Sequence, residues 1–424
     1  MSKKLFSIVC FVLLFAVSCM VLGVSAAGAA NVTLDFAQWW EPELPGGALR
    51  GLMDRFESEN PGIKVNLLSA PYDNTREMAI TGAATGTLSD VVGLDGAWVF
   101  DFAKQEAIAN ITNLIKEAGY DDNELAAQVR VGGDTYMIPV VNFVYPIFIN
   151  DEMMEKAGLK EAPKTWSEFT EAAKKLAAVG SNTAGYCYTM NLENPTGIQN
   201  DVLSWVWSSG GKFIKDGRAN LNTPEVKAVM TLMKELYDAK AITPGINAMK
   251  EQDKIEEFVN GRLGIIVNTL AHINMIRDRN PNLKFSVAQT PVKDGFTGKA
   301  GMMYATWGAG ISATSKNPAE AFKLVAFLMR SDVNKELAAF ANALPGNKSS
   351  TPDFTNTDPL FEDGFKIFQN TYLENEFTGL PQANELQTAL SKQFQMMLAG
   401  EKTIDQMLAD GEAEWNDMLE KASR

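Results

Sequence analysis

An α/β protein of two domains is what this sequence predicts, and three observations carry that expectation. Strand and helix patterns alternate along the chain. Its 424 residues exceed the usual size of one domain. With 46% apolar and 21% charged residues, the composition is that of a globular protein able to bury substantial cores. The opening reads as strand Val32–Gln38, a helix near Ala48–Glu59 stopped by Asn60-Pro61-Gly62, and a strand over 63–68. A helix over 74–85 precedes a short strand over 91–94, after which Asp95-Gly96-Ala97-Trp98 opens another helix. This βαβ progression predicts a mostly parallel sheet with helices on both faces and ligands gathered at the carboxyl ends of the strands. Trp39, Trp40, Asp95 and Trp98 each follow such a strand directly and should converge on one rim.

The stretch 136–150, with two prolines inside apolar runs, reads as extended chain crossing from a first lobe into another. Thr165-Trp166-Ser167-Glu168 is a capping box that starts a helix through about Ala178, and Thr223-Pro224-Glu225 starts a further one. Trp205 and Trp207 lie two apart on a helical stretch and point in different directions, so one of them is expected to reach a cleft. Strands over 263–267 and 284–288 precede a Gly- and Met-rich passage ending in Ala305-Thr306-Trp307-Gly308, where small residues let backbone and ligand approach. Helices follow over 318–330, 333–342, 384–398 and 404–419.

Lys3 and Lys4, an apolar run to Val24 and small residues at Ala26 to Ala29 read as an export signal over residues 1–26. Lipid attachment at Cys19, in a poor lipobox, and a retained anchor are the rival readings. Export leaves Cys187 as the single cysteine, so no internal disulfide forms and stability comes from packing. The net charge of −14 disfavours nucleic acid, whose phosphates draw on clustered Lys and Arg. One histidine, His272, excludes multi-histidine metal sites; a structural or solvent-facing role is expected of it. No cofactor is expected.

Trp39 and Trp40 are adjacent, and neighbours on extended backbone point to opposite sides. At least one indole is therefore expected to be presented, beside Glu41, in the loop Glu41-Pro42-Glu43-Leu44-Pro45. An aromatic face next to a carboxylate suits a sugar, whose C–H face stacks on the ring while its hydroxyls bond to the acid.

The chain resembles the extracellular solute-binding proteins of sugar ABC transporters, the family of maltose- and trehalose-binding proteins. The resemblance is carried by Phe56-Glu57-Ser58-Glu59-Asn60-Pro61-Gly62, by the run from Asp90 through Asp95 and Trp98, by Asn150-Asp151-Glu152-Met153-Met154-Glu155-Lys156-Ala157-Gly158-Leu159, by Trp207-Ser208-Ser209-Gly210-Gly211-Lys212-Phe213 and by Phe258-Val259-Asn260-Gly261-Arg262-Leu263-Gly264. It implies a two-lobed periplasmic-binding-protein fold of type II with a hinge of about three crossing segments, near 140–145, 289–293 and 342–345. Lobe one would hold 31–141 plus 291–341, and lobe two 142–290 plus 342–424. Carried over residue by residue, the ligand-binding positions are Trp39, Trp40, Glu41, Asp95, Trp98, Tyr145, Trp307 and Gly308 in lobe one, with Trp205 or Trp207 in lobe two. Many relatives have a Gly-x-Trp element where this chain has Asn268-Thr269-Leu270-Ala271-His272, so one stacking aromatic is missing and Asn268 takes its place as a candidate.

The function implied is capture of a carbohydrate, above all an oligosaccharide, by hinge closure outside the cytoplasm, in the periplasm or at the cell surface. A monomer would then deliver it to an ABC permease in the membrane. A peptide or polyamine ligand is the alternative within the binding class. A secreted glycoside hydrolase is the competing class, since tryptophans with Glu41 and Asp95 also suit that chemistry.

Overall fold

Two β-sheets organise the molecule, and the passage between them positions the site. The computed structural model describes residues 32–125, 129–350, 354–355, 357–378, 380 and 382–422; the export segment, with Cys19, lies outside the described residues. The larger sheet follows the path β13 (Leu344–Pro345), β5 (Asp134–Tyr145), β12 (Gly301–Ile311), β3 (Val91–Asp95), β1 (Val32–Gln38), β2 (Ile63–Ser69). In addition, β4 (Val129–Val131) pairs with β5, and β14 (Tyr372–Glu374) with β12. The second sheet runs β11 (Phe285–Ala288), β6 (Ile147–Asn150), β10 (Leu263–Val267), β7 (Ala184–Tyr186), and a hairpin joins β8 (Ile214–Lys215) to β9 (Arg218–Ala219).

β1 is parallel to β2 and to β3, as the opening βαβ units require. β12, however, is antiparallel to both β3 and β5, and β6 is antiparallel to both β10 and β11. The mostly parallel sheet expected from sequence is thereby corrected to a mixed one. The reason is connectivity: β12 is no product of a local βαβ crossover, because the chain reaches it only after passing through the second sheet. β12 is also where the Gly- and Met-rich passage lies. Nearly all its residues are buried, so the apolar/polar alternation that marks a half-buried strand is missing.

Local chemistry sets the helix starts. Thr165 accepts a hydrogen bond from the Glu168 N–H at 3.3 Å while Glu168 accepts from the Thr165 N–H at 3.2 Å, which caps helix Trp166–Ala177. Thr223 caps Pro224–Asp238 by accepting from the Val226 N–H at 3.4 Å, with Pro224 at the first helical position. The chain leaves the larger sheet at Tyr145 and enters the second at Ile147, with Pro146 as the sole connector. The last helix, Ile404–Ala422, buries Trp415 against Phe213 and Phe377, with ring centroids 5.9 and 5.8 Å away.

Candidate ligand-binding site

The carboxyl ends of β1, β2, β3 and β5 point at the second sheet's flank, and a cavity of about 510 Å³ lies there. Trp39 follows β1, Tyr72 and Asp73 follow β2, Asp95 ends β3, Tyr145 ends β5, and Trp307 on β12 stands opposite Asp95 in the ladder. The facing wall is built from Gln199 and Asn200, the start of helix Glu251–Val259, and Thr269 and His272 beyond β10. Asn194 donates to Asp73, tying a loop of the second region to the start of helix Tyr72–Thr85.

The indole rings meet as one cluster. Trp39 lies 5.3 Å from both Trp98 and Trp307, and Trp40 stacks on Trp307 at 6.1 Å with planes 7° apart. Trp39 and Trp40 are both buried, at 0% and 1% exposure, which corrects the expectation that they diverge. The strand ends at Gln38 and the chain bends at both tryptophans, so strand alternation no longer governs them.

The electrostatics follow from burial. Asp95 accepts from the Ala97 N–H at 2.8 Å and from the Tyr72 hydroxyl at 3.3 Å, yet loss of solvent outweighs both and pushes its carboxyl up to about 6. Burial, and then the carboxylate of Glu251, push Glu43 far above the usual range. His272 is driven down to about 3 by burial, with Lys254 and Arg279 adding to it, so its ring is neutral at pH 7. Four polar atoms on the lining have no partner in the protein: Trp39 Nε1, Glu43 Oε2, Gln199 Oε1 and Glu251 Oε1. Unpaired buried polar groups are costly, so a lining of this kind favours a ligand that supplies complementary ones.

Of the residues expected from sequence, Trp39, Asp95, Tyr145 and Trp307 line the cavity. The others stand elsewhere. Trp40 lies behind Trp307, and Trp98 lines a separate hollow with Arg76 and Asp101. Glu41 accepts from the Ser69 hydroxyl, and the loop offers Glu43 to the cavity instead. Gly308 follows a β-bulge on β12, where a Cβ would come within 2.5 Å of Met137 Cγ; its role is close strand packing. Asn268 is fully buried and holds His272, Oδ1 to Nδ1 at 2.7 Å. Trp205 is a core residue, its N–H donated to the Tyr186 hydroxyl at 2.9 Å, and Trp207 donates to Glu376 at 2.5 Å; neither reaches the cavity. Both donors are satisfied within the protein, which anchors these rings away from the cleft.

Tyr72, Glu43, Asn200, Glu251 and His272 were missed. Tyr72 comes soon after β2, as Trp39 comes directly after β1, so the strand-end rule extended by a few residues finds it. Asn200 and Glu251 carry no local signal. They are positioned by a buried ion pair, Asp201 with Lys254 at 2.5 Å, in which both side chains are wholly buried. Asp201 also accepts from the Thr189 N–H at 2.8 Å, and Lys254 donates to the Val267 carbonyl at 3.1 Å. That network locks together the short π-helix Ile198–Val202, helix Glu251–Val259 and the end of β10, the three segments that form the facing wall. Among the described residues no group of three or more His, Cys, Asp or Glu side chains could hold a metal ion.

Residues 40–335 match the family described as bacterial extracellular solute-binding protein. A binding protein of Brucella abortus (strain 2308) is 27% identical over 406 residues, 94% of this chain and 95% of the relative. The ABC transporter periplasmic-binding protein YcjN of Escherichia coli (strain K12) is 25% identical over 343 residues, 78% of this chain and 77% of the relative. Two solved structures have a TM-score of 0.78 and cover 92% of this chain. One is an ABC transporter solute-binding protein of Thermotoga lettingae TMO bound with α-D-tagatose, at 21% identity and 100% of its own chain. The other is UgpB of Mycobacterium tuberculosis in complex with glycerophosphocholine, at 19% identity and 99% of its own chain. At these identities the likeness establishes the fold, the two-lobed α/β architecture of periplasmic binding proteins. With a family match across most of its length, the chain belongs to the bacterial extracellular solute-binding proteins of ABC transporters.

Proposed function

We propose that the protein captures a carbohydrate in the cavity between its two sheets and delivers it to the membrane permease of an ABC transporter. The observation that carries this reading is the lining itself: Trp39, Tyr72, Tyr145 and Trp307 beside Asp95, Glu43 and Glu251, with polar atoms left unpaired. Aromatic rings take the C–H faces of a pyranose and the acids take its hydroxyls. The two related structures hold tagatose and glycerophosphocholine, a sugar and a polar non-sugar, and the aromatic lining favours the sugar. The larger sheet is read as the core of one lobe and the second sheet as the core of the other, with the crossing at Pro146 among the hinge segments. Closure would add the contacts of Asn200, Glu251 and His272 to a ligand first held by Trp39 and Trp307, and the ligand's differential affinity would hold the closed form.

A thermal-shift screen against mono- and oligosaccharides tests the reading. A ligand at 100 times its Kd adds about 2.7 kcal/mol of stability. Chromatography of the same mixtures separates capture from hydrolysis, because turnover of the sugar rejects a pure binding role. A screen in which only peptides or polyamines shift the melting temperature rejects the carbohydrate.

A further inference from the structure

We propose that the ligand carries a protonated amine, as an amino sugar does, and that Glu43 and Glu251 hold that amine between them. The proposal rests on the carbohydrate reading and narrows it. Six carboxylate side chains line the cavity against two cations, Lys250 and Arg279, and Arg279 is already donating to Glu256. Acidity alone decides nothing; the hydrogen-bonding inventory does. Glu43 is only 9% exposed, yet its Oε2 has no partner. Glu251 Oε2 accepts from Asn200 at 2.7 Å, while its Oε1 has none.

His272 adds a third acceptor. Asn268 Oδ1 takes the Thr269 N–H at 3.0 Å and lies 2.7 Å from His272 Nδ1, so Nδ1 is the protonated nitrogen of the neutral ring. Nε2 is then a lone pair, 3.8 Å from Glu43 Oε2. At that distance no hydrogen bond joins them; burial favours the protonated carboxyl on Glu43, and an ammonium seated between Glu43 and Glu251 would draw it back to the carboxylate. A sugar hydroxyl has one proton to offer, whereas an ammonium has three and a charge that two carboxylates favour. Glu251 also bears electrostatically on Glu43, Tyr72, Asp73, Asp95 and Tyr145, which makes it the shared neighbour of the acidic spot. The rings of Tyr72 and Tyr145, within the same lining, attract a cation over their faces.

Calorimetric titration of matched sugars tests this: D-glucosamine, D-glucose and N-acetyl-D-glucosamine, then chitosan disaccharide, cellobiose and N,N′-diacetylchitobiose. The amino member should bind about tenfold or more tightly than its neutral counterparts, the worth of one charge-assisted hydrogen bond. Glu251→Gln and, separately, Glu43→Gln should erase that preference while the variants keep the wild-type circular-dichroism spectrum. The wild-type comparison stands by itself if either variant fails to fold. Neutral sugars bound as well as or better than the amines would overturn the amine proposal and leave the carbohydrate reading intact. An amine preference that survives both substitutions would overturn the assignment to these two residues. Absence of binding by every sugar, amino or neutral, in this set and in the wider screen would overturn both readings together.

Discussion

Two sets of tryptophans occupy this chain, and their indole N–H groups separate them. Trp166, Trp205, Trp207 and Trp415 each donate to a protein acceptor: the Pro291 carbonyl, the Tyr186 hydroxyl, Glu376 and the Leu386 carbonyl. Trp39 and Trp40, packed around Trp307 at the cleft, are as deeply buried but have no acceptor. Burial therefore does not separate the two sets, whereas the fate of the indole N–H does. The four satisfied rings stand away from Trp307; of the two unsatisfied ones, Trp39 lines the cavity and Trp40 packs behind it.

The largest effects that sharpen this contrast lie on the structural side. Trp205→Ala or Trp415→Ala should cost about 3–5 kcal/mol in urea unfolding, by creating a large cavity. Lys254→Met should cost a similar 3–5 kcal/mol by leaving Asp201 buried and unpaired, and should also weaken ligand binding through the displaced wall. A variant of unchanged stability would show that the ion pair does not organise that wall.

Two buried titrating groups give opposite pH signatures. His272 has its pKa depressed from 6.5 to about 3, so folding favours its neutral form. Its contribution is present above pH 6.5 and is lost as pH falls toward 3, on the order of 5 kcal/mol. Asp95 is raised from 3.8 to about 6, so its contribution is present below pH 3.8 and is lost as pH rises through 6, by about 3 kcal/mol. His272→Asn should flatten the acid limb of stability against pH, and Asp95→Asn should remove the decline between pH 3.8 and 6. Denaturant titrations across that range check both.

The smallest effect is the most specific. Trp205→Phe should exceed Trp39→Phe in stability cost by about 1 kcal/mol, since only the former breaks a hydrogen bond. Trp39→Phe should instead weaken ligand binding. Equal losses of stability would break the comparison.

How much of this was legible in the sequence follows the same division. The helix starts at Thr165 and Thr223 and the strand Leu263–Val267 were readable because capping chemistry and β-branched runs are local. The meeting of Trp39, Asp95, Tyr145 and Trp307 was accessible through the strand-end rule and the family resemblance. β12 was not recognised as a strand, because burial on both faces removes its alternation. Glu251 and Asn200 were invisible for a different reason: their placement depends on Asp201 meeting Lys254 from 53 residues away. That neither Trp205 nor Trp207 lines the cavity was not legible, because nothing within their own segment reveals that Tyr186 and Glu376 await their N–H groups.

A single residue, Pro146, joins the two sheets at the end of β5. A proline ring locks one of the two backbone torsions there, so that link can twist but has little freedom to slide or stretch. In the proposed closure the two sheets would be the jaws: Tyr145 would stay near the pivot, while Glu43, on the loop after β1, and Glu251, on the helix before β10, would move with opposite jaws. A fluorophore pair on those jaws would register the swing, and the neighbourhood of Tyr145 would serve as its stationary reference.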